Sequence, residues 1–357
     1  MTTSSLLDQA RRLRERWFVS GVTSDAVWPG NSWNELCSAG VTRWGIPEEF
    51  GGQSVTADQL LRGLMELARG DLLATFVLSQ FQAAAHRLTR APSPALRQRW
   101  LPGLAKGQLF ATVGISHLTT SRQHTARPAV EAEPATDGYR LTGEIPWVTG
   151  GPKAQVLVVG GALTDGRQIL AAIPGDRAGV TIGESCKFAA LSGSETCAIR
   201  LAGVMVDADE LMAGPVGQVV QQFGGGGAGS LTTSALGLGH AWGCLDHLRE
   251  ERKFRSDLEP AIAAFTVEAD SLSEDLIAAS TGTAEASVSP ESLRTRSIDL
   301  ALRASQAYLT ASKGAGFVSG HPAERLARQA LFFLVWSCPQ VVANQLLQAF
   351  GRCDSGL

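Results

Sequence analysis

What most constrains this chain is a change of periodicity that happens twice. Up to residue 109 apolar residues recur at helical spacing, from 110 to 215 they fall in short strand-like runs, and from 216 to 357 helical spacing returns. Leu6, Ala10, Leu13 and Trp17 lie at i, i+4, i+7 and i+11, one stripe of a helix. Ser32 to Glu35 opens a second, short helix with a capping pattern, and Trp44 to Gly52 reads as a loop on its Pro and paired Gly. Asp58 to Leu88 resumes helical spacing, and Ser93-Pro94 starts a further helix that runs to Pro102-Gly103. In the middle block Tyr139–Gly143, Val156–Val159, Ile169–Ile173, Val180–Ile182 and Ala198–Val206 are separated by Gly, Pro and Asp turns. The pattern predicts an α+β chain in three domains: helical over 1–109, a small β-barrel or sandwich over 110–215, and helical over 216–357, with Val288–Ser292 a loop in the last.

Several function classes are excluded at once. Thirty-one Lys plus Arg against 34 Asp plus Glu give a net charge of -3, without the cationic excess of a nucleic-acid binder. With 44% hydrophobic and 18% charged residues the chain has the apolar content of a folded protein. Its longest unbroken apolar run, Ala330–Trp336, is too short to span a membrane, and its all-round apolarity predicts burial in a helix contact. The N-terminus carries no secretory h-region, and no two of the six cysteines have Cys-x-x-Cys spacing, so reduced thiols in a cytoplasmic protein are expected.

Local motifs are weak. Gly224, Gly226 and Gly229 fit Gly-x-Gly-x-x-Gly but lack the βαβ context of a dinucleotide fingerprint, so they read as a hinge. His240 and His247 share a helical face without a His-Glu-x-x-His pattern, and no metal is expected. There is no Gly-x-Ser-x-Gly elbow. The informative segment is Gly143–Gly151, where Trp147 and Thr149 stand two residues apart on an extended backbone and point the same way. A planar indole beside a hydroxyl suits a flat heterocycle, stacked on one face and hydrogen-bonded at a ring nitrogen.

Taken together, Gly45–Gly52, Trp147-Val148-Thr149-Gly150, Lys313–Phe317 and His321–Arg328 resemble the acyl-CoA dehydrogenase superfamily over essentially the whole chain. The resemblance implies a C-terminal four-helix bundle, FAD as cofactor and an oxidoreductase activity, the α,β-desaturation of an acyl thioester. It also implies a homodimer or homotetramer, with an electron-transfer flavoprotein or a flavin reductase as redox partner. For the flavin it implies Trp147 as stacking partner and Thr149 and Ser116 as hydroxyl contacts, with Gly314 and Gly316 approaching the FAD of a neighbouring subunit. Cys338 and Gln340 fall in the motif that borders the flavin. Arg252, from the cluster Arg249, Arg252, Lys253 and Arg255, would meet the FAD pyrophosphate, unless that cluster is a solvated helix face.

The departures bear on activity. The family's Glu-rich catalytic motif aligns on Trp336–Gln340, so Trp336 stands where the carboxylate is expected, and Gly227–Leu231 has neither Glu nor Arg. The catalytic group is therefore unknown, with Glu250, Glu251, His240 and His117 as conceivable relocated bases. Three readings stand: a desaturase with a relocated base, a flavin monooxygenase of the same fold that needs no such carboxylate, and a non-catalytic flavin-binding paralogue.

Overall fold

The computed structural model describes residues 5–21, 24–118, 127–223 and 231–351. The N-terminal part comprises α1 (Leu6–Ser20), α2 (Gly30–Ser38), α3 (Ala57–Gly70), α4 (Leu72–Thr89) and α5 (Pro94–Ala105). The stripe of α1 is buried as its spacing predicts, and the Ser5 hydroxyl caps it by accepting the Asp8 N–H at 3.2 Å. The single helical run expected over 58–88 is two helices. Asp71 breaks it in an extended conformation (φ -145°), where it ends α3 and caps α4 by accepting the Ala74 N–H at 3.0 Å. Asp71 is buried, and that burial raises its carboxyl above the usual range. Helix α5 continues past Pro102 to Ala105, its last turn closed by the Lys106 N–H donating to the Pro102 carbonyl at 3.2 Å.

Strands β1 (Ala111–Gly114), β2 (Val130–Ala135), β3 (Gly138–Val148), β4 (Val156–Ala162), β5 (Gln168–Pro174), β6 (Val180–Ile182), β7 (Cys197–Asp207) and β8 (Leu211–Val216) form one sheet in the order β6-β7-β3-β2-β4-β5-β8. Strand β1 adds in parallel to β4, pairing Ala111 with Val156, and presents its four buried residues to α4. The long antiparallel pair β3–β7 sets the site. Its register carries an irregularity between Ile145 and Val148, after which Val148 pairs with Cys197.

Helices α6 (Val219–Gln222), α7 (Leu231–Arg252), α8 (Glu259–Thr281), α9 (Pro290–Ala311), α10 (Pro322–Phe332) and α11 (Gln340–Gly351) complete the chain. Helix α7 packs against α3 closely enough that a Cβ on Gly239 would lie 2.4 Å from the Met65 carbonyl oxygen. A fork from Arg69 to both oxygens of Asp246, with Nη2 at 2.6 Å, ties the same two helices. The loop expected over 288–292 is short. Ser289 caps α9 with its hydroxyl on the Ser292 N–H, and Pro290 takes the first helical position, which the preset φ of proline favours. The apolar run Ala330–Trp336 is not buried all round: α10 ends at Phe332, and Leu331 and Val335 are 50% and 77% exposed. The five described cysteines are free. Among the described residues no helix is long and apolar enough to cross a membrane, and no group of His, Cys, Asp or Glu could hold a metal.

Candidate flavin and substrate cavity

A cavity of about 740 Å³ lies where the sheet, α4, the start of α7 and the segment after α10 meet. Helix α4 contributes one face, with Phe76, Ser79, Gln80, Ala83 and Arg87 at spacings of three and four. The end of β3 contributes Trp147 and Thr149, and the loop before β7 contributes Ser194 and Thr196. Ser116 lines it as well, so three of the expected flavin contacts come together.

Trp147 is 48% exposed, and its ring neighbour is Phe188, tilted at 6.2 Å between centroids. The i, i+2 argument holds in that Trp147 and Thr149 both face the cavity. Thr149 is buried, with its carbonyl accepting the Thr112 hydroxyl at 2.7 Å. Its own hydroxyl shares a hydrogen bond with Thr196 at 3.0 Å, and Thr196 shares one with Ser194 at 2.9 Å. Three hydroxyls carry three protons, and two mutual bonds use two of them, so one O–H is left to donate into the cavity. Together with an indole whose face is open, that donor set fits a flat ring system bearing acceptor nitrogens.

The far wall is apolar. Trp336 stacks on Phe332 (5.3 Å, 13°), meets Phe76 edge-on at 4.8 Å, and accepts a hydrogen bond at its carbonyl from Arg294 Nη2 at 2.7 Å. Arg328 Nη1 donates to the Ala189 carbonyl at 2.7 Å and so ties α10 to the loop that carries Phe188.

The other expected positions lie away from the cavity lining. Arg252 is exposed at the end of α7 and paired with Glu259 at 2.7 Å, and its neighbours Arg249, Lys253 and Arg255 pair with Asp246, Glu250 and Asp257. Gly314 and Gly316 sit in the turn Lys313–Phe317, Gly314 with open space around its Cα. The Cys338 thiol, raised by burial, contacts the Pro339 carbonyl, and Gln340 donates to Asn344 at 2.8 Å. Of the conceivable bases, His117 and His240 are buried with Nε2 donating to the Gly160 and Leu326 carbonyls. Neither they nor Glu250 and Glu251 line the cavity. The Gly224-Gly226-Gly229 motif, and part of the segment after Ser116, lie outside the described residues.

Sequence reasoning did not find Ser194, Thr196 or Arg87. Thr196 reaches Thr149 through pairing of strands 47 residues apart, for which no local pattern speaks. Arg87 had a signal, a lone guanidinium on the apolar face of α4.

The fold and site thus define a helix–sheet–helix protein with an aromatic- and hydroxyl-lined cavity at the junction of its layers. Residues 6–108 match the family model "Acyl-CoA dehydrogenase, N-terminal domain". The chain is 26% identical over 254 residues to a probable acyl-CoA dehydrogenase, YngJ, of Bacillus subtilis, covering 68% of this chain and 66% of that one. It superposes on butyryl-CoA dehydrogenase from Megasphaera elsdenii with a TM-score of 0.81 (17% identity, 97% of both chains). It also superposes on dibenzothiophene monooxygenase from Paenibacillus with a TM-score of 0.77 (18% identity, 97% of both chains). The N-terminal part of the chain thus carries an acyl-CoA dehydrogenase N-terminal domain, and the fold of the whole is that of the acyl-CoA dehydrogenase superfamily. The chain's alignments span 50% and 66% of the length of the first two curated relatives.

Proposed function

We propose that the protein is a flavin-dependent oxidoreductase that holds a small-molecule substrate in this cavity, and that it works as a monooxygenase rather than as a desaturase. The observation that carries the second half is the lining: among the described residues it contains no Asp or Glu. Residues 119–126 and 224–230, which lie nearest in sequence to the lining residues Ser116 and Thr232, have no carboxylate in their sequence either. Desaturation beside a thioester carbonyl needs a positioned base, worth roughly 10²- to 10⁴-fold in rate. The indole of Trp336 cannot serve, and among the described residues the one imidazole in the lining is that of His86, whose proton affinity is lowered by burial and by the neighbouring Arg90 and Arg87.

Trp147 would hold the face of the flavin ring, and the Thr149–Thr196–Ser194 hydroxyls would donate to its edge. When bound, the flavin would supply two-electron redox chemistry and, after reduction by an external flavin reductase, reaction with dioxygen. The protein's part is to orient both molecules and to exclude water: Phe76, Phe332 and Trp336 keep one wall dry, and Arg328 fixes the loop opposite. FAD is the cofactor the family resemblance favours, and FMN is named with the Paenibacillus monooxygenase. A homo-oligomer would bring a second copy to Gly314, Gly316 and Arg252.

The test is a visible spectrum of purified protein, flavin identification after release, and two reactions compared. Anaerobic addition of an acyl-CoA panel should leave the flavin band unchanged, whereas reduction by a flavin reductase followed by air should consume dioxygen. Bleaching by any acyl-CoA would restore the desaturase reading. Protein that takes up neither FAD nor FMN would leave a structural paralogue.

A further inference from the structure

Arg87 is 2% exposed and lines the cavity from the last turn of α4. Its Nη1 donates to the Ala83 carbonyl at 2.9 Å, but Nε and Nη2 have no hydrogen-bond partner among the described residues. Gln82 on the same wall also has an unpartnered Nε2. Burial alone pulls the Arg87 guanidinium down to about 10, with no carboxylate acting on it. Even so it is a cation at neutral pH. A buried charge without a partner costs several kcal/mol, which folding proteins normally avoid by pairing it.

The two idle nitrogens form one edge of the guanidinium. The same chain shows what that edge binds, because Arg69 uses Nε and Nη2 to grip the two oxygens of Asp246. We propose that Arg87 is a specificity-determining residue that receives a carboxylate carried by the substrate, with the Gln82 amide as a second donor. The substrate class is then a small organic acid whose apolar part lies in the same cavity, along α4 from Ala83 toward Phe76. The inference rests on the reading that this cavity holds the substrate. It differs from that reading in concerning the acid group, which the flavin contacts do not involve.

The test uses the full chain and calorimetric titration with hexanoate, 1-hexanol and inorganic phosphate. The wild type should bind hexanoate at least 30-fold more tightly than hexanol, and phosphate weakly. Arg87→Met should lose that preference and bind the two six-carbon probes alike, while Arg87→Lys keeps part of it. Without ligand, Arg87→Met should melt no lower than wild type, since an unpaired buried charge has gone. Equal binding of hexanoate and hexanol by the wild type would overturn the proposal without reference to any variant. So would a preference for phosphate, or an Arg87→Met protein that melts many degrees lower. Flavin titration of Arg87→Met should match wild type. Hexanoate binding by a wild type that takes up no flavin would sink the oxidoreductase reading and leave the acid site standing.

Discussion

Replacing Trp147 by Ala tests the flavin site most directly. An aromatic side chain of this size offers roughly 200 Å² of surface, and with 48% of the residue exposed about half is open to a ligand. Covering about 100 Å² at about 25 cal/mol per Å² is worth ~2.5 kcal/mol, or roughly a 70-fold change in Kd when the whole face is used. Loss of 10- to 70-fold is therefore expected on truncation. The buried half also supports the fold, so the variant should lose about half of the ~3–5 kcal/mol typical of a fully buried Trp→Ala change. The assay is fluorescence titration of apoprotein with FAD and with FMN, well below the melting temperature. Trp147→Phe, which keeps a flat face, should recover most of the affinity. A folded Trp147→Ala protein whose Kd for both flavins stays within twofold of wild type refutes the stacking argument.

Other perturbations read separate parts of the structure. Thr149→Val removes one hydroxyl from the Thr149–Thr196–Ser194 chain and should weaken flavin binding about 2- to 12-fold, the worth of one net hydrogen bond of ~0.5–1.5 kcal/mol, in the same titration. His240 is held neutral, its pKa pushed down to about 4 by burial, so the unfolded chain binds a proton there that the folded one refuses. Its contribution is intact above pH 6.5 and is lost as pH falls toward 4, up to about 3 kcal/mol at 1.36 kcal/mol per pKa unit. Melting temperatures from pH 7.5 to 4.5 should show this slope; buried His247, also pushed down to about 4, adds to it, so His240→Gln should remove only part of it. Gly239→Ala should destabilise by about 1–3 kcal/mol, because its Cβ would sit 2.4 Å from the Met65 carbonyl oxygen. In contrast, Gly314→Ala meets nothing within 4 Å and should melt like wild type. If Gly314 approaches a neighbouring subunit's flavin, that same variant lowers flavin affinity alone.

The order helix, strand, helix was legible because periods of 3.6 and 2 leave different marks, and both changes of pattern fall within a few residues of Ala111 and Val216. What local pattern missed depended on single backbone and packing events. Asp71 interrupts a run that looks continuous because an N-cap is satisfied by one side-chain bond and one extended residue. The stretch Ala330–Trp336 looks like buried helix, yet the helix stops at Phe332 and the turn that follows points Val335 outward while laying Trp336 on Phe332. Within the site, Trp147 and Thr149 were readable because their relation is local. Thr196 was not, since only the β3–β7 register brings it to Thr149.

The same division explains why the chemistry was harder to read than the fold. A carboxylate missing from an expected place leaves open whether another has moved in from elsewhere in the chain. The cavity lining removes much of that freedom: Glu250 and Glu251 lie at the far end of α7, His117 and His240 donate to backbone carbonyls, and what does face the interior is hydroxyl, aromatic and cationic. A wall of that kind is poorly suited to removing a proton from carbon and well suited to holding an anion beside a flat ring. A carboxylate at position 336 would face the buried Arg294, whose guanidinium lies 5.9 Å from the Trp336 ring with Nε and Nη1 unpartnered among the described residues, so Trp336→Glu should leave the Arg87-dependent preference for hexanoate over hexanol in place.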